Sequence, residues 1–205
     1  SADTNLTSAF SVGTGVRIVN ADKLFSQGSI VSTDNALDLA IDGSGFFQVL
    51  LPDGRIGFTR NGTFSRNNEG ALTTSSGFVI QPEIVIPEDA QEINVSSDGV
   101  VAVQLPGAVE QEEVGQIELA EFQNRNGLQP IGESFFVETP ASGEAIVAVP
   151  LEGSFGIVVQ GALESSNVSV VKELVDMIET QRAYEVNSKA ISSVDEMLRF
   201  ISNNL

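Results

Sequence analysis

The last 45 residues, GALESSNVSVVKELVDMIETQRAYEVNSKAISSVDEMLRFISNNL (161–205), decide how the chain is read. From Val168 to Leu205 there is no glycine and no proline. Just before it, Ser165-Ser166-Asn167 offers side-chain oxygens that can accept the orphan amides of a first helical turn. The segment predicts one helix over 168–205, roughly 38 residues and ~57 Å long at the helical rise. Val171, Leu174, Val175 and Ile178 mark a first apolar stripe. Tyr184, Asn187, Ile191, Val194, Leu198, Ile201 and Leu205 then follow at alternating spacings of three and four, the pattern of a heptad seam. Between them the stripe changes phase around Thr180 to Arg182, which skews or loosens packing against a partner.

That seam sets an energetic condition. Burying each large side chain is worth ~1.5–3 kcal/mol, so a wholly wet seam forfeits on the order of 10 kcal/mol. The rest of the chain holds no second helical pattern of matching length. The seam therefore calls for a helical partner, either a segment preceding this chain, another copy, or both. Gln181, Arg182, Tyr184, Asn187 and Lys189 lie at or beside the seam. They fit two roles equally well: register-setting contacts or the polar side of an ordinary amphipathic helix.

Upstream, the signal is strand and turn. ALDLAID (36–42) alternates, with Leu37, Leu39 and Ile41 to one side and Asp38 and Asp42 to the other. GSGFFQVLLPDGRIGFTRNGTF (43–64) predicts a buried strand over 46–51, a turn at Pro52-Asp53-Gly54 and a second strand over 56–59. It then turns at Arg60-Asn61-Gly62, where Asn-Gly suits the positive φ of a tight hairpin. Further turns are expected at 67–70, at 75–77 and at Asp98-Gly99, with strands in QIELAEFQN (116–124) and SFFVET (134–139). Turns every 8 to 12 residues indicate an antiparallel sandwich or barrel-like domain over 36–161. Residues 1–35 are polar and read as an extended arm, and 162–205 as the helical segment, giving a mainly β chain with one long C-terminal α-helix.

Composition narrows the function classes. The chain has no histidine and no cysteine among its 205 residues. This removes the commonest general base, thiolate nucleophiles and the usual zinc ligands, so neither an enzyme nor a metal or other cofactor is expected. Ten bases against 28 acids give a net charge of −18, which disfavours nucleic acid. No run of about 18 apolar residues suggests membrane insertion. Thirteen of the acids lie in 83–144 with Arg125 as the one base, as on a solvated face.

The smaller motifs are weak. Gly43-Ser44-Gly45 lacks the third glycine of a dinucleotide fingerprint and reads as a turn into a strand. Ser169-Val170-Val171-Lys172 lacks the companions of an acyl-enzyme motif. Asp34, Asp38 and Asp42 do not form a calcium loop and read as a solvated face. Asn5-Leu6-Thr7 and Asn61-Gly62-Thr63 match the glycosylation sequon, a frequent accident.

One resemblance ties these pieces together. ALDLAIDGSGFFQVLLPDGRIGFTRNGTFSRNNEGAL (36–72) and GALESSNVSVVKELVDMIETQRAYEVNSKAISSVDEML (161–198) resemble the axial rod and hook subunits of the bacterial flagellum. GTGVRI (13–18), FSQGSI (25–30) and IGESFFVET (131–139) favour the distal-rod members over the hook, as does the lack of a large inserted domain. The resemblance implies a structural subunit of the drive shaft that assembles into a helical tube and transmits torque to the hook. Its partners would be other copies, neighbouring rod and hook subunits, surrounding ring proteins and the flagellar export apparatus, in the periplasm-spanning rod of the basal body. It also implies that the family's N-terminal helix precedes Ser1. Without that helix, the C-terminal one is expected to fray, fold back or pair with another copy. The implied assembly residues are Leu174, Val175, Ile178, Gln181, Arg182, Tyr184, Asn187, Ile191, Val194, Leu198 and Ile201. A β-domain ligand-binding module is the alternative from another class.

Overall fold

A computed structural model describes residues 23–107 and 110–203. The first strands are β1 (Ile30–Ser32), β2 (Leu39–Asp42), β3 (Phe46–Leu50), β4 (Ile56–Thr59), β5 (Phe64–Arg66), β6 (Leu72–Thr74) and β7 (Ile80–Gln81). The middle of the chain forms β8 (Glu92–Val95), β9 (Val100–Gln104), β10 (Glu112–Gln116) and β11 (Leu119–Glu121). Then come β12 (Gln129–Gly132), β13 (Phe135–Val137), β14 (Ile146–Ala148), β15 (Ile157–Gln160), β16 (Ala162–Glu164) and the helix α1 (Val170–Asn203).

Every paired strand is antiparallel. The largest sheet runs β12-β13-β4-β3-β11-β14, with β7 also on β3. A three-stranded sheet β10-β9-β8 and the pairs β1–β16, β2–β15 and β5–β6 complete the body. The sheets do not close into a barrel.

Strand β3 shows why FFQVL is apolar throughout. Successive side chains point to opposite faces, and both faces are covered. Phe47 joins Leu39, Ile41, Phe64, Ile80, Ile84 and Leu119 in one core. Phe46 joins Phe58, Ala120, Phe122 and Leu128 in another. Edge-to-face rings knit both, with Phe47 to Phe64 at 5.2 Å and Phe58 to Phe122 at 4.7 Å between centroids, the geometry that aromatic quadrupoles prefer. The expected hairpin around Asp98-Gly99 is present as β8–β9, with Gly99 at φ +84°. The turn at 67–70 joins β5 to β6, where the Asn67 side chain accepts the amides of Glu69 and Ala71.

Four expectations change. Asp38 is buried, not on a solvated face. Its carboxylate accepts Thr33 Oγ1 at 2.7 Å and Asn35 Nδ2 at 3.0 Å, which offsets the cost of burying it. Among the described residues no cluster of three or more acids could hold a metal ion.

Arg60-Asn61-Gly62 does not close a hairpin. Gly62 is absent from the positive-φ residues, and β5 pairs with β6 instead of β4. A Cβ on Gly62 would lie 1.5 Å from the carbonyl oxygen of Leu39, so glycine is required here for close backbone approach.

The helix starts at Val170, two residues later than expected. Its cap is Ser169, whose carbonyl accepts Glu173 N–H at 3.0 Å and whose hydroxyl meets Lys172 N–H at 3.5 Å. This also explains the Ser-x-x-Lys pattern as a cap.

The fourth change concerns the arm. Its residues 1–22 lie outside the described residues, but 23–35 are docked. Phe25 meets Phe46 and Phe136 edge to face, Lys23 Nζ donates to Leu128 O at 2.6 Å, and β1 pairs with β16.

On the acidic face, Glu121 is held below the usual carboxylate range. Partial burial pushes it up, but hydrogen bonds from Arg125 and Ser154 and the Arg125 charge outweigh that. A carboxyl with a depressed folded pKa adds stability above its unfolded value of about 4.3 and loses it as the pH falls further. Glu121→Gln should therefore cost about 1–2 kcal/mol in urea unfolding at pH 7, with the gap to the parent narrowing below about pH 4. Gly62→Ala should cost on the order of 3 kcal/mol, read as a lower urea midpoint at unchanged slope.

Candidate assembly interface

Helix α1 carries all eleven residues that the sequence singled out, and each is exposed. Nothing in the chain covers them. The apolar ones range from 48% exposed at Val175 and Ile178 to 77% at Tyr184. Leu205, the end of the expected seam, lies outside the described residues. The 34 residues of α1 extend about 51 Å at the helical rise.

The structure places these residues on one helix but not on one face. With about 100° per residue, Val171, Leu174, Val175 and Ile178 centre on one direction. Tyr184, Asn187, Ile191, Val194, Leu198 and Ile201 centre about 180° away. The phase change is thus half a turn. Opposite the first stripe stand Glu173, Asp176 and Thr180. Opposite the second stand Glu185, Lys189, Ser192 and Glu196, with Lys189 and Glu185 paired at 2.6 Å. Gln181 and Arg182 sit at the switch, still on the side of the first stripe. Thr180 Oγ1 donates to Asp176 O at 2.8 Å there, a back-bond that tends to bend a helix.

The root of α1 is held by long-range contacts. Arg60 Nε donates to Glu164 Oε2 at 2.7 Å, in a pair only 20% and 11% exposed. The remaining guanidinium donors reach the carbonyls of Ile41, Gly43 and Gly45. The other Glu164 oxygen accepts Gly28 N–H at 2.8 Å. Asn167 Nδ2 donates to Leu24 O at 3.0 Å and to Ser26 O at 2.9 Å. Asn167 was expected to cap the helix; its amide instead straps the arm to the helix root. Sequence reasoning missed Arg60 and Glu164, since no local pattern links positions 104 residues apart.

Comparison with known proteins agrees with this architecture. Residues 40–103 match the family described as flagellar hook protein FlgE/F/G D1 domain. Residues 159–205 match the flagellar basal body rod FlgEFG protein C-terminal family. The flagellar basal-body rod protein FlgG of Buchnera aphidicola subsp. Schizaphis graminum is 47% identical over 98% of this chain and 78% of the relative. That of Caulobacter vibrioides is 46% identical over 93% of this chain and 73% of the relative. The chain belongs to the flagellar rod and hook family. It is a structural subunit of the distal rod of the flagellar basal body. The flagellar hook protein FlgE of Salmonella typhimurium is 41% identical over 57% of this chain and 29% of the relative, so the likeness to the hook is partial.

Glu164→Gln should lower stability by about 2–4 kcal/mol, because it leaves Arg60 half-buried without its counter-charge. Asn167→Ala should leave global stability within about 1 kcal/mol while speeding amide exchange at Ser26 to Gly28, measured by hydrogen–deuterium exchange.

Proposed function

We propose that this subunit works without catalysis, polymerising through α1 into a helical tube that transmits torque to the hook. The observation that carries the reading is the length of α1 together with the exposure of its apolar residues. Such a helix reaches its stable state only where neighbours cover it. The eleven residues on α1 are the assembly contacts, Leu174, Val175, Ile178, Ile191, Val194, Leu198 and Ile201 supplying burial. Gln181, Arg182, Tyr184 and Asn187 set register. Residues 36–161 act as the body and 162–205 as the assembly segment. Neighbouring copies, rod and hook subunits are the partners, the export apparatus delivers the chain, and the rod spans the periplasm.

Chemistry supports a structural role. The carboxylates whose acidity departs from ordinary are Asp53, beside Arg55; Asp98, hydrogen-bonded by Ser96; and Glu121, against the opposing effect of burial. All three are lowered, the direction opposite to that of a general acid working near neutral pH. No helix among the described residues is long and apolar enough to cross a membrane.

The exposed acids of 83–144, among them Glu88, Asp89, Glu112 and Glu113, face the surrounding ring proteins and keep the shaft from adhering to them. Replacing these four by Gln and Asn should slow rotation in a tethered-cell assay; unchanged speed would remove that role. For the main reading, a strain lacking the gene is complemented with the full-length parent, with Leu174→Asp or with Leu198→Asp. Each variant should be exported yet leave basal bodies without a distal rod and at least tenfold fewer swimming cells. Normal swimming by both would refute assembly through α1.

A further inference from the structure

The half-turn between the stripes says how copies meet. We infer that the first stripe of α1 in one copy (Val171, Leu174, Val175, Ile178) docks on the second stripe (Ile191, Val194, Leu198) of a neighbouring copy. The neighbour runs parallel and is staggered along the axis. This inference rests on the rod reading and gives its contact a direction.

Three observations carry it. First, the stripes look in opposite directions, so a single flat partner covers one and leaves the other wet. A twofold dimer through either stripe has the same defect. A contact between unlike stripes uses both, repeats without closing and yields a filament. The stripe centres are about 18 residues apart, so the stagger is about 27 Å.

Second, charge selects the helix as the surface between copies. Four bases against six acids on α1 give −2 of the chain's −18, so the body repels its own kind and the helix barely does.

Third, the polar backs are complementary. Behind the first stripe stand Lys172 with Glu173, Asp176 and Glu179, net −2. Behind the second stand Arg182, Lys189 and Arg199 with Glu185 and Glu196, net +1. In a staggered row the acidic back of one copy's first half comes level with the basic back of another copy's second half. Opposite charges then face each other where the apolar stripes do not.

The chain has no cysteine, which makes disulfide trapping clean. In the gene-deleted strain, full-length Leu174→Cys is co-expressed with Ile191→Cys, Val194→Cys or Leu198→Cys, and rods are oxidised in place. These side chains are exposed in the isolated chain, so the substitutions leave its core intact. The expected result is a cross-linked dimer in at least one co-expressing strain and none in strains carrying a single variant. Cross-links within the Leu174→Cys strain or within any second-stripe strain, or none in all three combinations despite swimming cells, would overturn the pairing and leave the rod reading standing. Failure of Leu174→Asp and Leu198→Asp to impair assembly would instead strike that reading.

As a second measurement, the purified chain carrying Leu174→Asp with Ile178→Asp is mixed with that carrying Val194→Asp with Leu198→Asp. Each retains the stripe the other lacks. A doubled mass in sedimentation on mixing alone is expected; a dimer of either variant by itself, or no association in the mixture where the parent associates, overturns the pairing.

Discussion

A single carboxylate holds the ends of this chain to its middle. Glu164, at the end of β16, takes Arg60 on one oxygen and the Gly28 amide on the other. Arg60 spends its remaining donors on three carbonyls around the β2–β3 turn. The pair is mostly out of water, where removing one partner is costly because the other charge is left stranded. Around it, β1 pairs with β16, Phe25 enters the aromatic cluster, and Asn167 ties the arm to the first residues before α1. A load on α1 therefore reaches the sheets through hydrogen bonds from three separate stretches of chain, which suits a shaft subunit better than one flexible linker would.

The same chain must be acidic enough to stay apart from its surroundings and still associate with copies of itself. The charge is divided accordingly. The acids of 83–144 are mostly exposed, one of the partly buried ones being Glu121 with Arg125. The helix, by contrast, is nearly neutral and leaves its aliphatic side chains wet. Repulsion between bodies then costs little as long as contact is made through α1, because screening cuts the interaction of charges more than about 10 Å apart.

Much of the body was legible in the sequence because its signals are local. The β4 bounds, the Asp98-Gly99 hairpin, the buried run after Gly45 and the long helix all follow from spacing, turn residues or the absence of breakers. The failures share one cause. Asp38 looked solvated by alternation, yet Thr33 and Asn35 satisfy it within a turn. Gly62 looked like a hairpin glycine, but its role is set by Leu39, 23 positions away. Asn167 looked like a cap, but its partners are near the other end of the chain. Periodicity says which face is apolar; it does not say which distant backbone arrives there.

The helix shows the limit from the other side. Spacing found the stripes, and the switch at Thr180 to Arg182 was visible as a change of phase. Its size matters more than its presence. A shift of a residue or two would bend the seam around one partner, as stutters do in coiled coils. A shift of half a turn moves the apolar surface to the far side, where the first partner cannot follow without wrapping the helix. A helix with two opposed stripes must therefore have neighbours on both sides. For identical copies this means each is both donor and acceptor of the same contact, a condition met by an open polymer and not by a closed pair.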